Sequence, residues 1–340
     1  MLTTPDLQML IADTEAEIRS LLDEHEDERT AELYRMARYH LGLDGEARTG
    51  GKRIRPLLGL LAYMSIAGDH RRALPGAAAV ELGHNFSLVH DDIEDRDVER
   101  RHRPALWTVV GVPQAINAGD ALFVLSRLAV HRLTALGFPD AKILRLLRMY
   151  DETCLDLCEG QFIDIWMSEH DERMTVDAYF DMIGRKTAAL IAGAVEAGAL
   201  LATDDERIVA AYRSFGWSLG IAFQLNDDLL GIWGQEQATG KEASDLAKHK
   251  KTLPVIYALE HAGPEDCTRL LELYAAPGMS RSQVGEVRTI LERAGAREYA
   301  RNQARRYRDE ALGALEEANV GDGAAREQLR LIIVSAIGAD

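Results

Sequence analysis

The chain has 340 residues, 47% of them hydrophobic, enough to bury a large core. Its 39 Lys and Arg against 55 Asp and Glu leave a net charge of −16, which argues against nucleic acid or an anionic membrane surface as a partner. An anionic substrate would have to be drawn in by local basic clusters, against the field of the whole chain.

Met1 to Asp6 lack a basic segment followed by an apolar one, so no secretory signal is expected and a reduced, cytoplasmic setting is. The first chemical cluster is Gly50-Gly51-Lys52-Arg53-Ile54-Arg55-Pro56. Its glycines let a backbone approach a ligand closely, and three cations follow. Pro56 suits the first turn of the next helix, whose N-terminal amides favour anions, so a diphosphate pocket is expected. Pro75-Gly76 opens another helix, apolar at Val80, Leu82, Phe86, Val89 and Ile93. It carries His84 and ends in Asp91-Asp92-Ile93-Glu94-Asp95.

Residues four apart share a helix face, so Asp91 and Asp95 project side by side with Asp92 close, and His84 lies on the same stripe. His90, off that stripe, reads as structural. Like charges so spaced cost about 0.2–0.5 kcal/mol per pair. Magnesium offsets that cost when it bridges carboxylates to a substrate's phosphates. The cations Arg96, Arg100, Arg101 and Arg103 follow at once, as a metal-bridged polyphosphate requires.

Cys154, Cys158 and Cys267 cannot pair off fully and have no nearby His for a zinc site, so they read as small apolar helix residues. A helix is expected from Val176, capped by Thr175, through Ala202, with Lys186-Thr187 on it. Its apolar run from Thr187 is broken by Glu196 and is shorter than the ~20 residues that span a bilayer. A further helix, from about Asp205 to Gly231, carries Gln224 and a second acidic pair, Asp227-Asp228. Gly240-Lys241 and Lys250-Lys251-Thr252 come after it. Strand-like alternation is essentially absent and no linker divides the chain, so a single all-α domain over 1–340 is expected.

Five motifs in order now carry a resemblance: GGKRIRP at 50–56, HNFSLVHDDIED at 84–95, RRHRP at 100–104, GQFID at 160–164 with KT at 186–187, and FQLNDDLLG at 223–231 followed by TGK at 239–241. From about Gly50 to about Ala258 the chain closely resembles the trans-polyprenyl diphosphate synthase family, the head-to-tail isoprenoid chain elongators. The resemblance implies the isoprenoid synthase fold, a large helical bundle around a central cavity, and a homodimer. It implies that Lys52, Arg55, His84 and Arg101 hold the diphosphate of isopentenyl diphosphate. Asp91 and Asp95, assisted by Asp92, and Asp227, assisted by Asp228, would bind Mg2+ on the allylic diphosphate. Arg100, Lys186, Thr187, Gln224, Lys241 and Lys250 would hold that diphosphate. Arg100, Lys186 and Lys241 join the carboxylates in catalysis, and Gln161 and Asp164 support the metal.

Two departures stand out. Gly231 stands where many members carry a third Asp, and His102 where Gly is frequent. The second motif fits no terpene-cyclase register from Asn226 or Asp227, and cyclases lack a counterpart of GGKRIRP. A non-catalytic subunit is disfavoured because the first-motif carboxylates are all retained. Phe86 lies five residues before Asp91, about 7.5 Å along the helix, and is the expected floor for the growing chain, with Ser87 leaving room beside it. A single aromatic there accompanies short products in the family, so geranylgeranyl diphosphate (C20) is expected, with farnesyl diphosphate (C15) next.

Overall fold

The computed structural model describes residues 4–45, 51–169, 174–234, 244–276, 278–318, 320 and 323–336. The order is α1 (Thr4–His25), α2 (Ala31–Leu41), α3 (Ile54–Ala67), α4 (Leu74–Glu94), a two-strand hairpin β1 (Glu99–Arg100) and β2 (Arg103–Pro104), α5 (Leu106–Val110) and α6 (Val112–His131). Then come α7 (Asp140–Glu169), α8 (Val176–Ile183), α9 (Ala189–Ala202), α10 (Glu206–Trp233) and α11 (Ser244–Ala247). The chain finishes with α12 (Leu253–His261), α13 (Pro264–Ala275), α14 (Arg281–Arg293), α15 (Ala296–Ala318) and α16 (Gly323–Ala336).

The all-α expectation holds, and the fold is that of the isoprenoid synthases. Helix α9 is buried on nearly every side, as an Ala- and Leu-rich helix without a polar face must be. It packs between α3 and α10, while α4 pairs with α6 and α10 with α15. Helix α10 buries Val209, Tyr212, Phe215, Leu219, Ala222 and Leu225 at steps of three and four. Each large side chain so buried contributes roughly 1.5–3 kcal/mol. No described helix is long and apolar enough to cross a membrane.

The expected starts are found. Pro75 occupies the first turn of α4. Thr175 Oγ1 accepts the Ala178 amide at 3.1 Å and Asp205 Oδ1 the Arg207 amide at 2.9 Å, caps worth about 1 kcal/mol each. The structure adds two local features. The expected continuous helix 176–202 is interrupted by a π-turn at Gly184–Ala188, the turn that holds Lys186 and Thr187. Such turns concentrate at functional sites. The segment 99–104 is a hairpin, which escapes strand periodicity because each strand is only two residues long. Of the three cysteines, all free, Cys154 is buried as an apolar residue should be, whereas Cys158 is exposed.

Candidate active site

A cavity of about 740 Å3 is bordered by the end of α4, α7, the π-turn, α10 and the segment 245–252. Asp227 and Asp228 lie more than a turn before the end of α10, whereas the first acidic motif lies in the last turn of α4, with Asp95 as its C-cap residue. A helix C-terminus already carries partial negative charge, so carboxylates there are disfavoured until a cation arrives. Burial, with Asp95 and Glu94 alongside, pushes the Asp91 carboxyl up to about 7 even though Lys186 draws it down. Burial raises Asp95 as well, helped by Asp164, Asp97 and Glu94 and opposed by Lys186.

Asp92 is the buried carboxylate of the first motif. It is 1% exposed, and its Oδ1 accepts from Arg100 Nε at 2.6 Å. Its Oδ2 is buried with no partner among the described residues. Lys186 donates to Asp164, and Gln161 donates to Glu94 Oε2 at 2.9 Å while its own Oε1 is buried and unpartnered. Gly160 makes this possible, since a Cβ there would lie 2.4 Å from the Lys186 backbone nitrogen. Glycine thus lets α7 press against the π-turn and aim Lys186 across the cavity.

The second acidic pair divides its labour. Asp227 is open to solvent, and desolvation raises its carboxyl against the pull of Lys250. Asp228 is 1% exposed and already accepts hydrogen bonds from the Tyr179 hydroxyl, from Gln224 Nε2 at 3.0 Å and from the Leu253 amide at 3.0 Å. Burial pushes it up to about 6, with Lys250 and these donors opposing. Through these bonds Asp228 ties α10 to α8 and α12. Thr187 Oγ1 donates to Gln224 Oε1 at 3.0 Å, extending the same chain of hydrogen bonds. Burial disfavours the Lys250 cation, but Asp228, Asp245, Asp227 and Asp164 more than compensate and raise it.

Arg55, His84 and Arg101 come together two turns earlier along α4. Arg55 Nη1 lies 3.1 Å from His84 Nε2. A guanidinium can only donate, so Nε2 accepts and the imidazole proton sits on Nδ1. Burial first, then Arg55, Arg101 and Arg100, holds His84 well below its usual range, so it is neutral. Burial pushes Arg55 down to about 10, Glu81 opposing, and its Nε is buried without a partner. Lys52 is exposed at the rim. Gly51, at φ +78°, lies against the Arg101 guanidinium, which a Cβ would approach to 2.9 Å.

Two of the neighbouring cations do not belong to the site. Arg53 turns inward, with Nη1 2.6 Å from Glu81 Oε1 and Nε 3.2 Å from Glu15 Oε1. Arg103 pairs with Asp44 at 2.6 Å over the Tyr39 ring. Gly50 and Lys241 lie outside the described residues.

The hairpin explains the second departure. Arg101 and His102, its two loop residues, have φ of 53° and 61°. Tight hairpins of this hand favour Gly or Asn at those positions. Arg101 bears that strain while presenting its guanidinium to the site, but the His102 side chain is 96% exposed and has only Glu99, 3.8 Å away. His102→Gly should therefore stabilise the fold by up to about 1 kcal/mol. A thermal melt checks it, and an unchanged or lower midpoint would show that the backbone there is unstrained.

Phe86 is 8% exposed and packs on Phe123, ring centroids 5.0 Å apart, between α4 and α6. It does not border the 740 Å3 cavity. Ser87 Oγ donates to the His84 carbonyl at 2.9 Å. His90 packs against α6 next to Gly119, as a structural residue should. Phe123, Tyr179 and Asp245 were missed in the sequence; no local pattern marks them, because each meets the site through a partner far away in the chain.

Asp95, Asp97, Asp164, Asp228 and Asp245 give the cavity a lining rich in carboxylate oxygen, and Asp92 and Gln161, outside that lining, each keep a buried oxygen with no partner among the described residues. That suits a hard divalent cation. No three acidic, His or Cys side chains among the described residues gather around one point.

Two helix-borne acidic pairs facing lysines, beside a separate cationic pocket, define a diphosphate-handling helical enzyme. The chain belongs to the polyprenyl synthetase family, whose profile matches residues 32–293. It is 42% identical over 293 residues to a geranylgeranyl diphosphate synthase of Mycobacterium tuberculosis, covering 84% of this chain and 82% of that one. It is 40% identical to a short chain isoprenyl diphosphate synthase of Methanothermobacter thermautotrophicus, covering 83% and 85%. Its structure is similar to that of a geranylgeranyl pyrophosphate synthetase from Pyrococcus horikoshii, with TM-score 0.88, 33% identity and coverage of 98% and 97%.

Proposed function

We propose that the chain condenses isopentenyl diphosphate head-to-tail with an allylic diphosphate, using magnesium, to give a short-chain all-trans prenyl diphosphate, geranylgeranyl diphosphate (C20). The carrying observation is a pair of unlike anion sites on one helix. His84, paired with Arg55 of α3, lies on one turn of α4, and Asp91 follows seven residues later, about 10 Å along the axis. One diphosphate fits the cationic pocket, where the orphaned Arg55 Nε awaits an acceptor. The other fits between the two acidic motifs. The names of the relatives from M. tuberculosis and P. horikoshii support the C20 product.

Asp91, Asp95 and Asp227 would hold magnesium, which when bound neutralises charge on the leaving diphosphate. Lys186, fixed by Asp164, and Lys250 face the same charge, and Arg100 reaches toward it from its anchor on Asp92. Thr187 and Gln224, locked to each other, offer polar contacts at fixed positions. These groups are in place before reaction, so the bond to the diphosphate breaks without reorganisation of the site. Ile165, Met167, Met174, Met182 and Ile183 line the apolar wall that keeps water from the allylic cation. His84, Arg55, Lys52 and Arg101 hold isopentenyl diphosphate so that its double bond attacks, and loss of a proton completes the step.

The unit is a cytoplasmic homodimer acting as one domain per chain. Ile116 and Val124, both exposed on one face of α6 with Val112 near them, support a subunit contact there.

Incubation with magnesium, an allylic diphosphate and isopentenyl diphosphate, followed by chromatography, tests the reading. Longer diphosphates support it. Hydrocarbons would point to a cyclase, and no turnover without a second chain to a non-catalytic subunit. In the same assay, Phe86→Ala should lengthen the product by at least one isoprene unit, because it empties the space behind the metal site up to Phe123. An unchanged product distribution would place the floor elsewhere.

A further inference from the structure

The missing third carboxylate of the second acidic motif has a replacement in space. Gly231 lies four residues after Asp227 on α10, on the same face. A Cβ at Gly231 would sit 2.0 Å from Asp245 Oδ2 and 2.7 Å from its Cγ. The Asp245 carboxylate therefore occupies the position from which a side chain at 231 would start. Asp245 also borders the cavity, and its charge bears on Asp227 and on Lys250.

Its placement is held from several directions. The Lys250 amide donates to the Asp245 carbonyl at 2.8 Å, closing a turn. Leu246 is fully buried, with Thr252 and Leu253 close to it in burial. The Leu253 amide binds Asp228 Oδ2, and Lys248 Nζ reaches Asp97 Oδ1 at 3.2 Å, just beyond the first acidic motif. The segment 245–253 is thus a strap tied to both motifs.

We propose that Asp245 supplies the third carboxylate of the second acidic motif from this strap, and that position 231 is glycine in order to admit it. The assignment rests on the function proposed above. Asp245 would act as an outer-sphere partner to a cation held by Asp227, orienting the groups that bind it.

A reciprocal exchange tests this on the full chain. The first readout is the shift of the thermal midpoint produced by magnesium with inorganic diphosphate. Asp245→Ala should weaken the apparent magnesium affinity by roughly 10–100-fold, as loss of an outer-sphere partner does. Gly231→Asp should also weaken it, because two carboxylates then compete for one place. The double variant G231D/D245A should recover most of the loss. The second readout is the midpoint without metal. Gly231→Ala should lower it in the native chain and raise it in the Asp245→Ala background, where the ordinary helical preference for Ala returns. If the native chain responds to magnesium and diphosphate while Asp245→Ala responds equally, the assignment is overturned and the proposed function stands. If the native chain does not respond, both fall. If Gly231→Ala raises the midpoint in both backgrounds, Asp245 does not occupy that space and the assignment is overturned.

Discussion

Asp91→Ala lowers turnover by about three orders of magnitude or more while leaving the fold intact. The carboxylate sits at the end of α4, desolvated and crowded by Asp95 and Glu94, which is why burial drives it up to about 7. Lys186 and Arg100 offset only part of that cost, and a bound cation would offset the rest. Stabilisation of the leaving group by that cation is worth several kcal/mol, and each 1.36 kcal/mol is about tenfold in rate. The same substitution removes like-charge repulsion, so the metal-free protein should melt no lower than the native chain. Single-turnover rates at saturating substrates, with a thermal melt alongside, make the comparison. A variant that keeps more than about a tenth of native turnover would remove Asp91 from the reaction.

Arg53→Ala is expected to have the largest effect on stability, and none on the chemistry beyond that. The Arg53 side chain has no exposed surface and Glu81 is 3% exposed at the side-chain level. Asn85 Nδ2 donates to the same Glu81 oxygen at 2.8 Å, and Arg53 Nη2 reaches the Leu41 carbonyl. Removing the guanidinium strands a buried carboxylate and a carbonyl, a cost of roughly 3–5 kcal/mol. Removing both partners together, as Arg53→Ala with Glu81→Ala, should cost less than the sum of the two single changes, because neither charge is then left behind. Denaturant unfolding of the three variants measures this. A loss under about 1 kcal/mol in Arg53→Ala would mean that the pair is solvated. Michaelis constants measured well below the melting range should stay near native, in contrast to those of an Arg55 variant.

The contrast between Arg53 and Arg55 shows where sequence reading stopped. Three cations in four residues signal an anion site, but that Arg53 turns away from it depends on Glu81, Glu15 and Leu41, none of them close in the chain. Helix α4 was legible almost whole, since Pro75, the apolar steps and the terminal acids are local signals. The caps Thr175 and Asp205 were legible for the same reason. The π-turn was not, because a single wider turn leaves the apolar pattern on either side intact. Nor were the roles of Asp92 and Asp228. As sequence they look like their neighbours Asp91 and Asp227, and only Arg100, Tyr179, Gln224 and the Leu253 amide tell them apart. The place of Gly231 could be read only as a loss until Asp245 was seen to fill it.

The turn at Gly184–Ala188 holds one more residue than an α-helical turn spanning the same path. Chain length, and not only residue identity, is therefore a functional variable at that spot. A deletion of one residue there would let α8 and α9 fuse into an uninterrupted helix with better backbone bonds, while carrying Lys186 around the axis and away from Asp164. Selection for thermal robustness and selection for turnover would then pull on the same codon in opposite directions, and the surplus residue persists only for as long as the second is the stronger.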